Sequence, residues 1–221
     1  MTKVSVENML ETIDRHASTV QAALGRDHIH PRVMAAVGRV PREIFVLEAD
    51  RHLAYGDHPL PIGHGQTISQ PFIVAFMTDL LDLQADHRVL EVGTGCGYQT
   101  AVLAELAREV DSIEVVPELA ARARAVLAEL GHGHVRVHEG DGHLGLEERA
   151  PFDRIIVTAA PERVPEALTG QLASNGRLVI PVGAGPWQQT LLVIDKDEAG
   201  RLKERRTIGV AFVPLVEESP P

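Results

Sequence analysis

The residues best suited to chemistry lie in one short run, Glu91-Val92-Gly93-Thr94-Gly95-Cys96-Gly97. Glycines at alternate positions let the backbone turn sharply and let a ligand approach where a Cβ would stand. The spacing is G-x-G-x-G. The dinucleotide fingerprint G-x-G-x-x-G would need glycine where Tyr98 stands, which disfavours a dehydrogenase. Glu91, just ahead of the glycines, disfavours a pyrophosphate but suits a ligand carrying an ammonium and a sulfonium. Two further acids occupy matching places. Glu114 lies where a carboxylate can accept ribose hydroxyls. Asp141, within Glu139-Gly140-Asp141-Gly142, can accept an adenine amino hydrogen. Each acid alone could be a solvated strand end; three beside a glycine loop point to an adenosyl ligand.

The elements that must position these groups alternate along the chain. Arg88–Val92 reads as a strand, the glycines lead into a helix over Gln99–Ala107, and Asp111–Val115 ends a second strand. Pro117 opens an Ala-rich helix that stops at Gly131, as proline at a first turn and glycine past a last turn predict. Val135–Val137, Phe152–Val157 and Arg177–Ile180 read as further strands, with a helix ending over Leu168–Leu172. Strands alternating with helices predict a parallel sheet covered on both faces. Thr190–Ile194 and Thr207–Val213, joined by a polar turn at Asp195–Gly200, predict an antiparallel pair at its edge.

Upstream, the apolar spacing of Met9, Leu10, Ile13, Ala17, Val20 and Leu24 predicts helix over Val6–Leu24. A short helix begins at Pro31 and breaks at Val40-Pro41. The Gly-, Pro- and His-rich stretch from Asp50 to Gln66 reads as a long ordered loop, a length that marks a functional candidate. Ser69 then begins a helix with Pro71 in its first turn. The expected organisation is residues 1–83 as N-terminal helices and active-site loop, 84–183 as ligand-binding core, and 184–221 as strands completing the sheet, all in one structural domain.

Bulk properties bound the partners. The 221 residues are 44% hydrophobic and only 4% aromatic, so Val, Leu, Ile and Ala must build the core. Lys and Arg number 21 against 31 Asp and Glu, a net charge of -10 that repels nucleic acid and anionic lipid. The lone cysteine, Cys96, fits a reducing compartment, and no apolar run approaches a membrane span. A cytoplasmic enzyme, acting as a monomer, is the expectation.

The glycine loop and its acids resemble the class I S-adenosylmethionine methyltransferases. Val40-Pro41-Arg42-Glu43-Ile44-Phe45-Val46, Leu60 to Pro71, Val89 to Ala104, Ala150 to Ala160, Gly176 to Gly183 and Phe212-Val213-Pro214-Leu215-Val216 resemble, more narrowly, the protein-L-isoaspartate O-methyltransferases. The resemblance implies a Rossmann-like, seven-stranded α/β fold. It also implies S-adenosyl-L-methionine bound by Thr67, Ile68, Ser69, Glu91, Gly93, Thr94, Gly95, Gly97, Glu114, Asp141 and Gly142, with S-adenosyl-L-homocysteine as product. Ser69 takes the catalytic position, and Ile62, Gln66, Val213, Pro214 and Leu215 the substrate groove. The implied acceptor is the free α-carboxylate of L-isoaspartyl residues, whose methyl ester collapses to a succinimide. Three departures stand out: Cys96 in place of Ser, Asn175 in place of a glycine, and Ala211 where relatives often carry Arg. Asn tolerates positive φ, so that turn should survive.

The chemistry needs little machinery. A carboxylate with a pKa of about 4 is already ionised at neutral pH, so no Ser-His-Asp or Cys-His arrangement is required. The enzyme must align oxygen with methyl and exclude water. Ser69 is also placed to be a plain N-cap, and one residue can do both. His132, His134 and His138 read as flanks of a solvated strand rather than metal ligands, Cys96 as a packing residue, and Trp187 as core or edge strand. Two other readings stay open: a carboxyl methyltransferase tailoring an aspartate of one modified peptide, and a cofactor-binding module without catalysis.

Overall fold

The computed structural model describes residues 5–185 and 188–216; Trp187 lies outside them. Helix α1 (Val6–Ala17) is capped by Ser5 and presents Met9, Ile13 and Ala17 inward. It stops short of the expected Leu24. The Ser18 and Thr19 hydroxyls donate back to the carbonyls of Arg15 and His16, each at 2.7 Å, a local bond that competes with the helical ladder. The remainder is a separate turn, α2 (Gln21–Leu24), closed by Gly25 at φ 76°. Helix α3 (Pro31–Arg39) begins and ends as read.

The stretch expected to be a long loop is more ordered than its composition suggested. It contains a 3-10 turn, Glu48–Leu53, and a small antiparallel hairpin of β1 (Leu60–Gly63) and β2 (Gln66–Ile68). The turn between them places His64 and Gly65 at positive φ. The hairpin escapes a sequence reading because its strands are short and start with Leu-Pro and Gln-Thr. Helix α4 (Pro71–Leu80) follows, buried on nearly every side.

The main sheet has seven strands in the order β5-β4-β3-β6-β7-β8-β9. Strands β3 (Arg88–Val92), β4 (Glu109–Glu114), β5 (Val135–Glu139) and β6 (Phe152–Val157) run parallel with the long β7 (Leu172–Val182). β8 (Gln189–Lys196) and β9 (Leu202–Val210) add the antiparallel edge. Helices α5 (Tyr98–Ala104), α6 (Pro117–Glu129) and α7 (Glu166–Gly170) connect the parallel strands. α5 starts one residue earlier and ends sooner than read, and α7 ends at Gly170, since Leu172 already belongs to β7.

Alternation within the strands buries both faces. Val89, Val110, Ile156 and Val179 join one core with α1, α3, α4, α5 and α6. Leu90, Val92, Ile113, Ile155, Val157, Leu178 and Ile180 form the other with Leu168 of α7. This is the doubly wound arrangement, with the antiparallel edge and the N-terminal helical extension. Its strand order reverses at β3, which pairs with β4 on one side and β6 on the other. The loops leaving β3 and β6 diverge there, opening the crevice where such sheets bind ligands. Asn175 sits at φ 61°, so the turn inside β7 survives the loss of glycine.

Candidate active site

The glycine loop leaves β3 at this reversal point. Gly93 has φ 97°, and a Cβ there would come within 2.5 Å of Thr158 Oγ1 at the end of β6. That hydroxyl donates to the Gly93 carbonyl at 2.5 Å. The bare backbone is therefore what lets β3 and β6 meet. Gly142 is as restrictive, since a Cβ would lie 2.3 Å from Val92 Cγ1. Glu114 ends β4 and accepts from the Gly95 amide (2.7 Å) and the Val116 amide (3.0 Å), tying the loop to the next strand. Thr94 Oγ1 meets Ser112 Oγ at 2.6 Å beneath it.

A cavity opens over this loop. Its walls include Gly93, Thr94, Gly95, Glu114 and Gly142 from the sheet edge, Ile62, Gln66, Thr67, Ile68 and Ser69 from the hairpin, and Val213, Pro214 and Leu215 from the C-terminal segment. Thirteen of the residues singled out in the sequence thus face one space. A second groove of about 580 Å³ adjoins it. Thr67, Ser69, Ile73, Thr158, Phe212 and Val213 line both, so Ser69 stands at their junction.

Three sequence-derived residues do not face the cavity. Glu91 points the other way, because strand alternation sends it with Val89 toward α5. There it is fully buried, accepting from Thr100 Oγ1 (2.5 Å) and Ser112 Oγ (2.6 Å). Burial pushes its carboxyl up to about 8, which favours the neutral form of a group that binds helix to sheet. Gly97, at φ 91°, caps α5 and packs against Ala123, where a Cβ would sit 3.3 Å from its neighbour. Asp141 accepts from the His143 amide at 2.8 Å and approaches its ring at 3.0 Å. Its Oδ1 is engaged within its own turn.

Ser69 is not the helix cap. Gln70 occupies that position with no side-chain bond, and Asp57 caps α4 from a distance, its Oδ1 accepting from the Phe72 amide at 2.8 Å. The other oxygen holds Gln70 and His16. The Ser69 carbonyl accepts from Arg42 Nη2 at 2.7 Å, while Arg42 Nε donates to the Ala54 carbonyl at 2.8 Å. Arg42 is wholly buried and lies 4.7 Å over the Tyr98 ring; burial lowers its pKa. On the other arm of the hairpin, Arg122 donates to the Ile62 carbonyl at 3.0 Å.

The expected strand through Val213 ends at Val210. The chain then crosses the carboxyl edge of the sheet, where the Ala160 amide donates to Val213 (2.8 Å) and Leu215 donates back to Ala160 (2.9 Å). Cys96 is buried, with its thiol pushed up by that burial. His134 faces the Ala104 carbonyl and His138 the buried Asp111. Sequence reasoning missed Arg42, Asp57 and Arg122, which act at long range on backbone carbonyls and amides and leave no local signal. Thr158 was findable, as a polar residue directly past the end of a core strand.

Comparisons with known proteins point to one family and fold. The sequence matches the family described as protein-L-isoaspartate(D-aspartate) O-methyltransferase over residues 8–220. It is 55% identical over 210 residues to protein-L-isoaspartate O-methyltransferase 1 of Anaeromyxobacter sp., covering 94% of this chain and 98% of the relative. It is 50% identical over 207 residues to protein-L-isoaspartate O-methyltransferase 2 of Syntrophobacter fumaroxidans, covering 94% and 84%. Among solved structures, a Plasmodium falciparum protein described as a protein-L-isoaspartate O-methyltransferase, in complex with S-adenosyl-L-homocysteine, superposes with a TM-score of 0.80. That pair shares 25% identity, covering 96% of this chain and 98% of that one.

Proposed function

This chain belongs to the protein-L-isoaspartate(D-aspartate) O-methyltransferase family, and from that premise we propose how its own residues divide the work. The protein is an S-adenosyl-L-methionine-dependent enzyme that methylates isoaspartyl residues. When bound, S-adenosyl-L-methionine supplies a methyl group on a sulfonium, released as the thioether S-adenosyl-L-homocysteine when a carboxylate oxygen takes the methyl. The glycine cradle fits such a ligand, because Gly93, Gly95 and Gly142 line the cavity with bare backbone and the Glu114 carboxylate borders the same space. In this reading Gly93, Thr94 and Gly95 offer close backbone approach, Glu114 accepts from ribose hydroxyls, and Gly142 leaves room for the base.

The observation that carries the reading is Ser69 at the junction of the cradle and the adjoining groove. A peptide in that groove would bring its carboxylate to the cradle beside the Ser69 hydroxyl, which orients it by one hydrogen bond. Arg42 fixes the backbone of that serine, and its buried positive charge favours an incoming anion. Ile62, Gln66, Val213, Pro214 and Leu215 shield the junction from water, which strengthens each polar contact inside. Among the described residues no helix is long and apolar enough to cross a membrane. The reading extends to a cytoplasmic location, where a lone buried cysteine is at home.

The test is transfer of labelled methyl to an isoaspartyl peptide and to its normal aspartyl twin. Label in the isoaspartyl peptide alone is expected; equal labelling of both, or of neither, overturns the assignment of substrate.

A further inference from the structure

Where β9 ends at Val210, the backbone loses its strand neighbour. The chain leaves the sheet at Ala211 and begins the segment that walls both cavities. The next residue, Phe212, is nevertheless paired. Gln189 Nε2 donates to the Phe212 carbonyl at 3.0 Å, and the Phe212 amide donates to Gln189 Oε1 at 2.6 Å. One side-chain amide thus takes both backbone groups of one residue, as a neighbouring strand would. Gln189 is itself buried, at 5% exposure, and its own backbone stands opposite Val210 in the β8–β9 register.

We propose that Gln189 is a positioning residue for the peptide substrate, its side chain extending the sheet by one rung so that Ala211–Val213 form a fixed wall of the substrate groove. The inference rests on the functional reading above. Its logic lies in how the segment is anchored. The far end is held separately by Ala160, through Val213 and Leu215, and that end faces the glycine cradle. The near end hangs on Gln189 and faces the groove of about 580 Å³ lined by Ser69, Phe72, Ile208 and Ala211. Releasing Gln189 frees Ala211 and Phe212, the latter bordering both cavities, and leaves Val213 to Leu215 tied to Ala160.

The chemistry of the clasp permits an unusual test. Met in place of Gln keeps the length and removes both bonds. Glu keeps the acceptor for the Phe212 amide, but when ionised it sets an anion against the Phe212 carbonyl. Protonated, its O–H donates to that carbonyl and the amide pattern is restored. No acidic, basic or histidine side chain is among the described residues lining the groove; Asp57, behind Gln70 and Phe72, and Arg42, behind Ser69, are charged groups packed against that lining. Burial and the facing carbonyl raise its pKa above the ordinary carboxyl range.

The experiment measures peptide KM, and S-adenosyl-L-homocysteine affinity by calorimetry, for wild type, Gln189→Met and Gln189→Glu from pH 5.5 to 8.5, below each melting temperature. The expected KM rise is about tenfold for Gln189→Met at every pH, as for two backbone groups left unpaired. Gln189→Glu should show at least that rise at pH 8.5 and recover to within about threefold of wild type at pH 5.5. Cofactor-product affinity should stay within about threefold throughout. Wild-type KM in both variants overturns the proposal, as does a Gln189→Glu defect that pH does not move. A wild-type enzyme that fails to label isoaspartyl peptide would instead overturn the substrate assignment and leave the clasp a purely structural feature.

Discussion

The two walls of the active site are built on different principles. The glycine wall, proposed to hold the cofactor, consists of parallel strand ends and their first turns: Gly93 and Thr94 after β3, Glu114 at the end of β4, Thr158 after β6. Each is placed by continuous ladder bonds through a core buried on both faces. The facing wall, proposed to meet the substrate, consists of the chain beyond the sheet's last strand and a hairpin of four- and three-residue strands. Side chains from elsewhere hold it by its backbone: Arg42 on Ser69, Asp57 on Phe72, Gln189 on Phe212. Rigidity comes from topology on one side and from individual long-range bonds on the other. Single substitutions should therefore act differently on the two walls.

The sharpest break in that contrast comes from Glu114→Ala. It removes the acceptor for Gly95 and Val116, two charge-assisted bonds worth about 1.5–3 kcal/mol each. Affinity for S-adenosyl-L-homocysteine should fall roughly 100-fold by calorimetry; unchanged affinity would remove Glu114 from the site. Gly93→Ala should come next, because its Cβ meets Thr158 Oγ1 at a φ of 97°. A strain of about 1–3 kcal/mol is expected, visible as a melting temperature lowered by several degrees together with weakened cofactor binding. On the opposite wall, Arg42→Gln should lower kcat about tenfold with cofactor affinity within about threefold. A cofactor affinity that fell as far as kcat would place Arg42 with the other wall.

A further effect sharpens the contrast through pH. Glu91 has its folded pKa raised to about 8 by burial, above an unfolded value near 4.3. Between those values the folded state holds a proton that the unfolded state has released, so this group's contribution to stability falls as pH rises across the window. Glu91→Gln is an isosteric neutral replacement that still accepts from Thr100 and Ser112. The melting temperature of wild type relative to this variant should decline from pH 5 to pH 8; a constant difference contradicts a neutral buried Glu91.

This division also explains what could be read from the sequence. The parallel core announces itself through alternating apolar strands, Pro117 opening α6 and Gly131 closing it, all local signals. The glycine loop and Glu114 follow from the same rule that ligands sit past strand ends. Glu91 misled because acid type and position suggested the ligand, whereas strand alternation turns it toward α5. Gly97 shares the loop's spacing but serves helix packing. The hairpin was hidden by strands too short for a period to register. Arg42, Asp57 and Gln189 were illegible for a deeper reason: their partners are backbone groups 12 or more residues away, and no side-chain pattern records them.

Ser69→Ala, assayed for both ligands, tests the central claim most directly. The account predicts a slower turnover on isoaspartyl peptide, by roughly tenfold as for loss of one oriented hydrogen bond, with S-adenosyl-L-homocysteine affinity close to wild type. Full turnover, or a loss of cofactor affinity matching the loss of rate, would contradict a serine that orients the acceptor at the junction of two separately built walls.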